Sequence, residues 1–154
     1  NGVDTIVRIT SDCPLIDPFV VDEIISFYNN NDYDLVTNAG LRLETRTYPR
    51  GLDTEVFTFT VLEEAFHQAE KKYQLEHVTP YILENKRVFH YKNDKDYSNY
   101  RLTLDEKKDW KLINKIYDNL YNGKHDFYFK DILNLLKKNP NIANINKKVQ
   151  QKSI

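Results

Sequence analysis

TIVRITSDCPLIDPFVVDEIISFY, residues 5–28, decides the fold class. Its first part, Thr5 to Ile9, is a β-branched run that reads as a buried strand. After a loop, Val20, Val21, Ile24, Ile25 and Tyr28 recur at the spacing of one helical face. Asp17-Pro18 starts that helix, with Asp as its cap and Pro in the first turn. Downstream the same alternation continues. Asp34 to Thr37 and Val56 to Phe59 read as strands, separated by a polar, Arg-rich excursion from Asn38 to Arg50. Thr60-Val-Leu-Glu63 has the form of a capping box, and Leu62, Phe66, Ala69 and Tyr73 mark the helix expected after it. His77 to Glu84 reads as a further helix, and Val88 to Tyr91 and Tyr100 to Leu104 as two strands. Trp110, Ile113, Ile116, Tyr117 and Leu120 form a helical stripe closed near Gly123, and Phe129 to Lys138 is a last helix ended by Asn139-Pro140. Short strands alternating with amphipathic helices predict an α/β fold, a mostly parallel sheet with helices on both faces.

With 154 residues the chain falls in the range of one domain. Residues 1–140 are expected to form that domain, and residues 141–154 a polar tail with too little apolar content to pack. The 22 basic and 23 acidic side chains nearly cancel, so no global field draws the chain to nucleic acid or an anionic membrane. The Lys137-Lys138 and Lys147-Lys148 pairs read as solvated ends. No apolar stretch reaches the roughly 18 residues of a membrane span. The single cysteine, Cys13, has no partner for an internal disulfide. A cytoplasmic setting is expected. The chain has no methionine and opens on Asn1 just before a strand, which suggests an N-terminally truncated domain.

Four segments concentrate chemistry. RITSDCPLID, residues 8–17, delivers Asp12 into the loop beyond a strand's C-terminal end, where open α/β sheets bind ligands. Asp17 already caps the next helix, which leaves Asp12 without an obvious local duty. RLTLDEKKDWKLI, residues 101–113, again ends a strand in a carboxylate, Asp105, which serves equally well as a helix N-cap. Two strands ending in Asp at one sheet edge would suit Mg²⁺, which takes one or two carboxylates and completes its shell with water and phosphate oxygens. In TYPRGLDTEVF, residues 47–57, Arg50 offers a planar fork for a carboxylate or phosphate, and Asp53 and Glu55 are acceptors for sugar hydroxyls. The same residues suit a Pro-Gly turn with surface charges. In EHVTPYI, residues 76–82, His77 and Thr79 are within reach of a ligand, though a first-turn proline in a packing helix accounts for them as well.

Together and in this order, these segments resemble the acylneuraminate and ketodeoxyoctonate cytidylyltransferase family, especially its spore coat polysaccharide branch. The likeness runs from Val3 to Ser153 and includes NPNIANINKKVQQKS, residues 139–153. It implies a nucleotide-diphosphosugar transferase fold, GT-A or Rossmann-like, which loads CMP from CTP onto an acidic sugar. Mg²⁺ would lie between the catalytic Asp12 and Asp105, with substrate contacts at Arg8, Arg50, Asp53, Glu55, His77 and Thr79. The excursion from Asn38 to Arg50 would help form a homodimer. The sequence departs from the family pattern at Leu75, where an arginine is expected, and at Glu106-Lys107, where Thr-Pro is usual. The family's glycine-containing nucleotide loop precedes the matched region, and the glycines here, Gly2, Gly40, Gly51 and Gly123, are scattered. The chain alone is therefore expected to be inactive.

Two other functions fit parts of the sequence. Asp94-Lys95-Asp96 has the acid-x-acid spacing of a metal-dependent glycosyltransferase, within a run that also reads as a solvated turn. A non-catalytic dimerisation module would use the excursion as its contact surface.

Overall fold

In the computed structural model, which describes residue 2, residues 4–40 and residues 45–150, the opening stretch forms β1 (Thr5–Arg8) and α1 (Pro18–Asn29). Asp17 caps α1 as expected, its Oδ1 accepting a hydrogen bond from the Phe19 amide at 2.8 Å. Its Oδ2 accepts another from the Phe129 amide at 2.9 Å, which ties α1 to the start of α6 (Phe129–Lys138).

Three more strands, β2 (Leu35–Thr37), β3 (Glu55–Thr58) and β4 (Val88–His90), complete a sheet of order β1-β3-β2-β4. β3 is antiparallel to both β1 and β2, whereas β2 and β4 are parallel. The mostly parallel sheet expected from the sequence is thus a mixed one. Three strands share a direction, but β3 is inserted between two of them. The excursion after β2 causes this, because it returns the chain to the rim it left and the next strand must run backwards. An apolar run reads the same in either direction, so the reversal leaves no mark on its hydrophobic pattern.

Alternation along the strands sends Leu35 and Phe57 to one face and Val36 and Val56 to the other. The first pair packs against Val61 and Ala65 of α2 (Phe59–Gln68) and Ile82 of α4 (Pro80–Asn85). The second packs against Val20 and Ile24 of α1 and Phe129 and Leu133 of α6. Helices therefore cover both faces, as expected. Ile24, Leu35, Leu52 and Ile82 are wholly buried, and each contributes about 1.5–3 kcal/mol relative to an exposed side chain. A third cluster joins Leu15 and Leu102 to α5 (Lys107–Leu120), α6 and α7 (Pro140–Ala143).

Four local expectations change. β1 is an edge strand, with Val7 and Ile9 exposed. Tyr100 to Leu104 forms no strand and makes, among the described residues, a single bridge, Arg101 to Arg50. The helix after β3 starts two residues early. Its cap is Thr58, whose Oγ1 accepts from the Val61 amide at 3.2 Å, and Phe66 is left on the solvent side. α2 then ends at Gln68, and α3 (Lys72–His77) follows as a separate helix. The segment expected as a loose tail packs through α7, burying Ile142 and Asn146; residues 151–154 of that segment lie outside the described residues. Among the described residues, no helix is long and apolar enough to cross a membrane.

The early start of α2 separates two threonines experimentally. Thr58→Ala should cost about 1 kcal/mol, the usual loss of a helix cap, while Thr60→Ala should be near neutral. Equal losses in chemical denaturation would return the cap to Thr60.

Candidate functional site

The reversed β3 gathers polar groups at one rim. In register, Glu55 at its start lies opposite both Arg8, the end of β1, and Thr37, the end of β2; Thr37 in turn pairs with His90, the end of β4. Asn38 fastens the returning chain. Its Nδ2 donates to the Leu52 carbonyl at 2.7 Å, and its Oδ1 accepts from the Thr54 amide at 2.8 Å, so a buried side-chain amide supplies the bonds that a strand neighbour would otherwise make. Nothing local in the sequence marks Asn38 for this role, because an asparagine after a strand looks like any turn residue.

Two distant segments are laced to this rim. The Leu104 amide donates to the Asp12 carbonyl at 2.9 Å, and the Leu102 amide to the Arg50 carbonyl at 2.7 Å. Gly51 allows the crossing: its φ is +97°, and a Cβ there would stand 2.4 Å from both Leu102 C and Thr103 N. The fold thereby brings Asp12, Arg50 and the Asp105 segment together.

The Asp12 carboxylate accepts from the Thr103 hydroxyl at 2.6 Å. Burial opposes its ionisation, but hydrogen bonds from Thr10 and Thr103 outweigh burial and hold it below the usual carboxylate value. A carboxylate so held offers a hard oxygen donor. Cys13 beside it is buried, and burial, with the Asp53 and Asp12 charges adding to it against a Thr10 hydrogen bond, pushes its thiol up to about 11. At neutral pH Cys13 is a protonated thiol, not a nucleophile.

Asp105 does not cap α5. Glu106 holds that position, and the Asp105 and Glu106 amides both donate to Asp109 Oδ2, at 3.2 and 3.0 Å. Asp105 instead projects to solvent and accepts from Arg101 Nη2 at 2.6 Å. Because Leu104 is bonded to the Asp12 carbonyl, Asp105 follows one residue beyond that contact. Among the described residues, no group of three or more His, Cys, Asp or Glu side chains gathers to hold a metal. Two carboxylates nevertheless match the donor set of Mg²⁺ bound chiefly through phosphate and water.

Around them, among the described residues, lie three guanidinium groups. Arg46 is buried and paired with Asp53, with its Nε left unbonded. Arg101 forms a two-pronged pair with the wholly buried Asp109, Nε to Oδ1 and Nη2 to Oδ2, both at 3.0 Å. Arg50 is half-buried, and among the described residues no hydrogen bond or ion pair engages its guanidinium. Burial lowers the Arg50 pKa, nearby Arg46 and Arg101 lower it further, and Asp53 and Asp105 partly oppose them. An anion would relieve all three unfavourable contributions.

The remaining expected site residues divide. Glu55 is buried and both its oxygens are occupied, Oε1 by the Thr79 hydroxyl at 2.9 Å and Oε2 by Arg8 Nη1. It braces Arg8, whose side chain remains partly exposed. Asp53 is engaged by Arg46. Thr79 is buried on Glu55, and His77, at the end of α3, accepts the Thr79 amide at its carbonyl, 2.7 Å away. Asp109 is a site residue not expected from the sequence, although Glu106 and Asp109 stand three apart at a helix start, the spacing of a capping box. Asp94 and Asp96 are exposed, and Asp96 accepts from the Ser98 amide at 2.8 Å, as a turn residue does.

Comparison with known proteins places this arrangement among relatives. The family model described as Cytidylyltransferase matches residues 2–138. The chain is 40% identical over 158 residues to Uncharacterized protein MJ1063 of Methanocaldococcus jannaschii, covering 97% of this chain and 60% of that protein. It is 29% identical over 147 residues to spore coat polysaccharide biosynthesis protein SpsF of Bacillus subtilis, covering 90% of this chain and 57% of the relative. A cytidylyltransferase structure from Leptospira borgpetersenii superposes with a TM-score of 0.82 at 34% identity, covering 97% of this chain and 60% of that one. The chain thus spans about three fifths of the length of these relatives.

Proposed function

This chain belongs to the cytidylyltransferase family, and from that premise we propose that the full-length protein transfers CMP from CTP to an acidic sugar, in the cytoplasm, for a surface or spore coat polysaccharide. What supports this is the meeting at one rim of an ionised carboxylate, Asp12, with the half-buried guanidinium of Arg50, which no hydrogen bond or ion pair engages among the described residues. Such a pair suits a substrate that carries both a metal-bound phosphate and an anionic group of its own. A sugar hydroxyl attacks the α-phosphorus of CTP, forming the new P–O bond and releasing its proton to solvent as the bond to the departing pyrophosphate breaks.

Asp12 and Asp105 are the residues that would hold Mg²⁺. When bound, the ion neutralises charge developing on the phosphates. Arg101 fixes the Asp105 carboxylate, and Thr103 fixes that of Asp12. Arg50 and Arg8 bind and orient the anionic groups, Arg8 through its brace on Glu55. The excursion from Asn38 to Arg50 is proposed to contribute to a homodimer; Leu41 to Glu44 within it lie outside the described residues. Because the chain spans only part of its relatives' length, the fragment alone is proposed to be inactive.

The test is pyrophosphate release from CTP by the full-length protein with a panel of acidic sugars. One sugar should support release, and Asp12→Asn should lower kcat/KM at least about 100-fold, as expected for a metal ligand. Absence of release with every sugar, or an Asp12→Asn variant as active as the wild type, would sink the proposal.

A further inference from the structure

The turn between α3 and α4 departs from local preference at three points. Val78, a β-branched residue, has φ 66° and ψ −58°, and it is the one non-glycine residue with positive φ among the described residues. With the Thr79 amide bonded to the His77 carbonyl at 2.7 Å, this is the rare, strained form of γ-turn. Thr79 then takes φ −95° and ψ −10° directly before Pro80, whose ring disfavours that conformation. Finally, Thr79 occupies the N-cap position of α4 without capping it. Its hydroxyl donates to Glu55 instead, 24 residues away in sequence.

What these departures secure is a carboxylate gripped on both oxygens. Thr79 holds one side of Glu55, and the other side holds Arg8 Nη1. A carboxylate bonded on one oxygen alone can still rotate, and the long Arg8 side chain would move with it. Held at both ends, Glu55 fixes one edge of the guanidinium and leaves the remaining N–H groups to an incoming anion. We infer that the Val78–Thr79 turn is a strained positioning element that clamps Glu55 and thereby aims Arg8 at an anionic group of the substrate, a carboxylate or a phosphate. The inference rests on the proposed cytidylyl transfer only for what Arg8 binds.

Its test uses the full-length protein with Val78→Gly, which removes the strain, and Thr79→Val, which removes the hydroxyl. Val78→Gly should raise the melting temperature by a few degrees or so. Both variants should lower the order of the Arg8 Nε–H group measured by NMR relaxation, and Thr79→Ser should restore it. In the transfer assay each should raise KM about tenfold with kcat nearly constant. The KM that moves, for the sugar or for CTP, identifies a carboxylate or a phosphate as the group bound. In an Arg8→Ala background the Thr79→Val effect should vanish. A fall in melting temperature for Val78→Gly, or wild-type Arg8 order in both variants, overturns the inference. If the wild type transfers nothing, the functional proposal fails, while melting and Arg8 order still decide the role of the turn.

Discussion

Asp109→Ala should destabilise the protein by about 3–5 kcal/mol, the loss that follows when one partner of a buried ion pair is removed. Asp109 is wholly buried and accepts from Arg101 Nε and Nη2, from Asn146 Nδ2, and from the Asp105 and Glu106 amides. Its removal takes the two-pronged partner from a guanidinium whose side chain is only 11% exposed, along with one acceptor of the Asn146 amide and the acceptor that holds the start of α5. For a chain of this size the melting temperature should fall by roughly 10 °C. The rim should change too, because Arg101 Nη2 also holds Asp105. A pH series isolates the charge. Burial opposes ionisation of Asp109, but Arg101, Asn146 and the two amides outweigh it and hold its pKa below the ordinary 3.8. A carboxyl with a depressed folded-state pKa stabilises fully above its unfolded value and loses that contribution as pH falls through the folded one. Wild-type stability should therefore drop below about pH 4 more steeply than that of Asp109→Asn, which does not titrate. Parallel acid limbs for the two proteins would show that the pair contributes little.

The sequence disclosed those features that repeat with a period or mark an end. The order of short strands and amphipathic helices, the helical stripe of α1 and the Asp17-Pro18 start are local patterns, and the structure keeps them. Direction is different. Nothing in Glu55 to Thr58 records that the strand runs backwards, because that follows from the path of the excursion before it. The site divides along the same line. That Asp12 does not cap α1 was legible, since Asp17 already held the cap. That Glu55 braces Arg8 was not, because their pairing depends on the reversed strand and on register across 47 residues of separation. The loose tail misled for a related reason. Asn146 adds nothing to apolar content, yet it is buried because it bonds Asp109 and the Arg101 carbonyl at 2.8 and 2.9 Å.

Gly51→Ala should cost about 3 kcal/mol, toward the upper end of the usual overpacking penalty, and Gly123→Ala is its control. Both glycines have φ near +100°, where any L side chain is strained. The difference is space. Around Gly123 nothing lies within 4 Å of an added Cβ, so only the backbone penalty of roughly 1–2 kcal/mol applies there. At Gly51 the added carbon meets backbone on the crossing segment: Leu102 C and Thr103 N at 2.4 Å and Leu102 O at 2.5 Å. A peptide cannot turn aside as a side-chain tip can. Residues 101–104 must lift away, which breaks the Leu102 bond to Arg50 and the Leu104 bond to Asp12 and withdraws Thr103 from the Asp12 carboxylate. Cys13, buried beside Asp12, should then react faster with a thiol reagent in Gly51→Ala than in Gly123→Ala. Urea denaturation gives the energy and thiol labelling the location. If the two variants lose equal stability and Cys13 stays equally protected, the crossing at Gly51 is not what holds Asp12, Arg50 and Asp105 at a common rim.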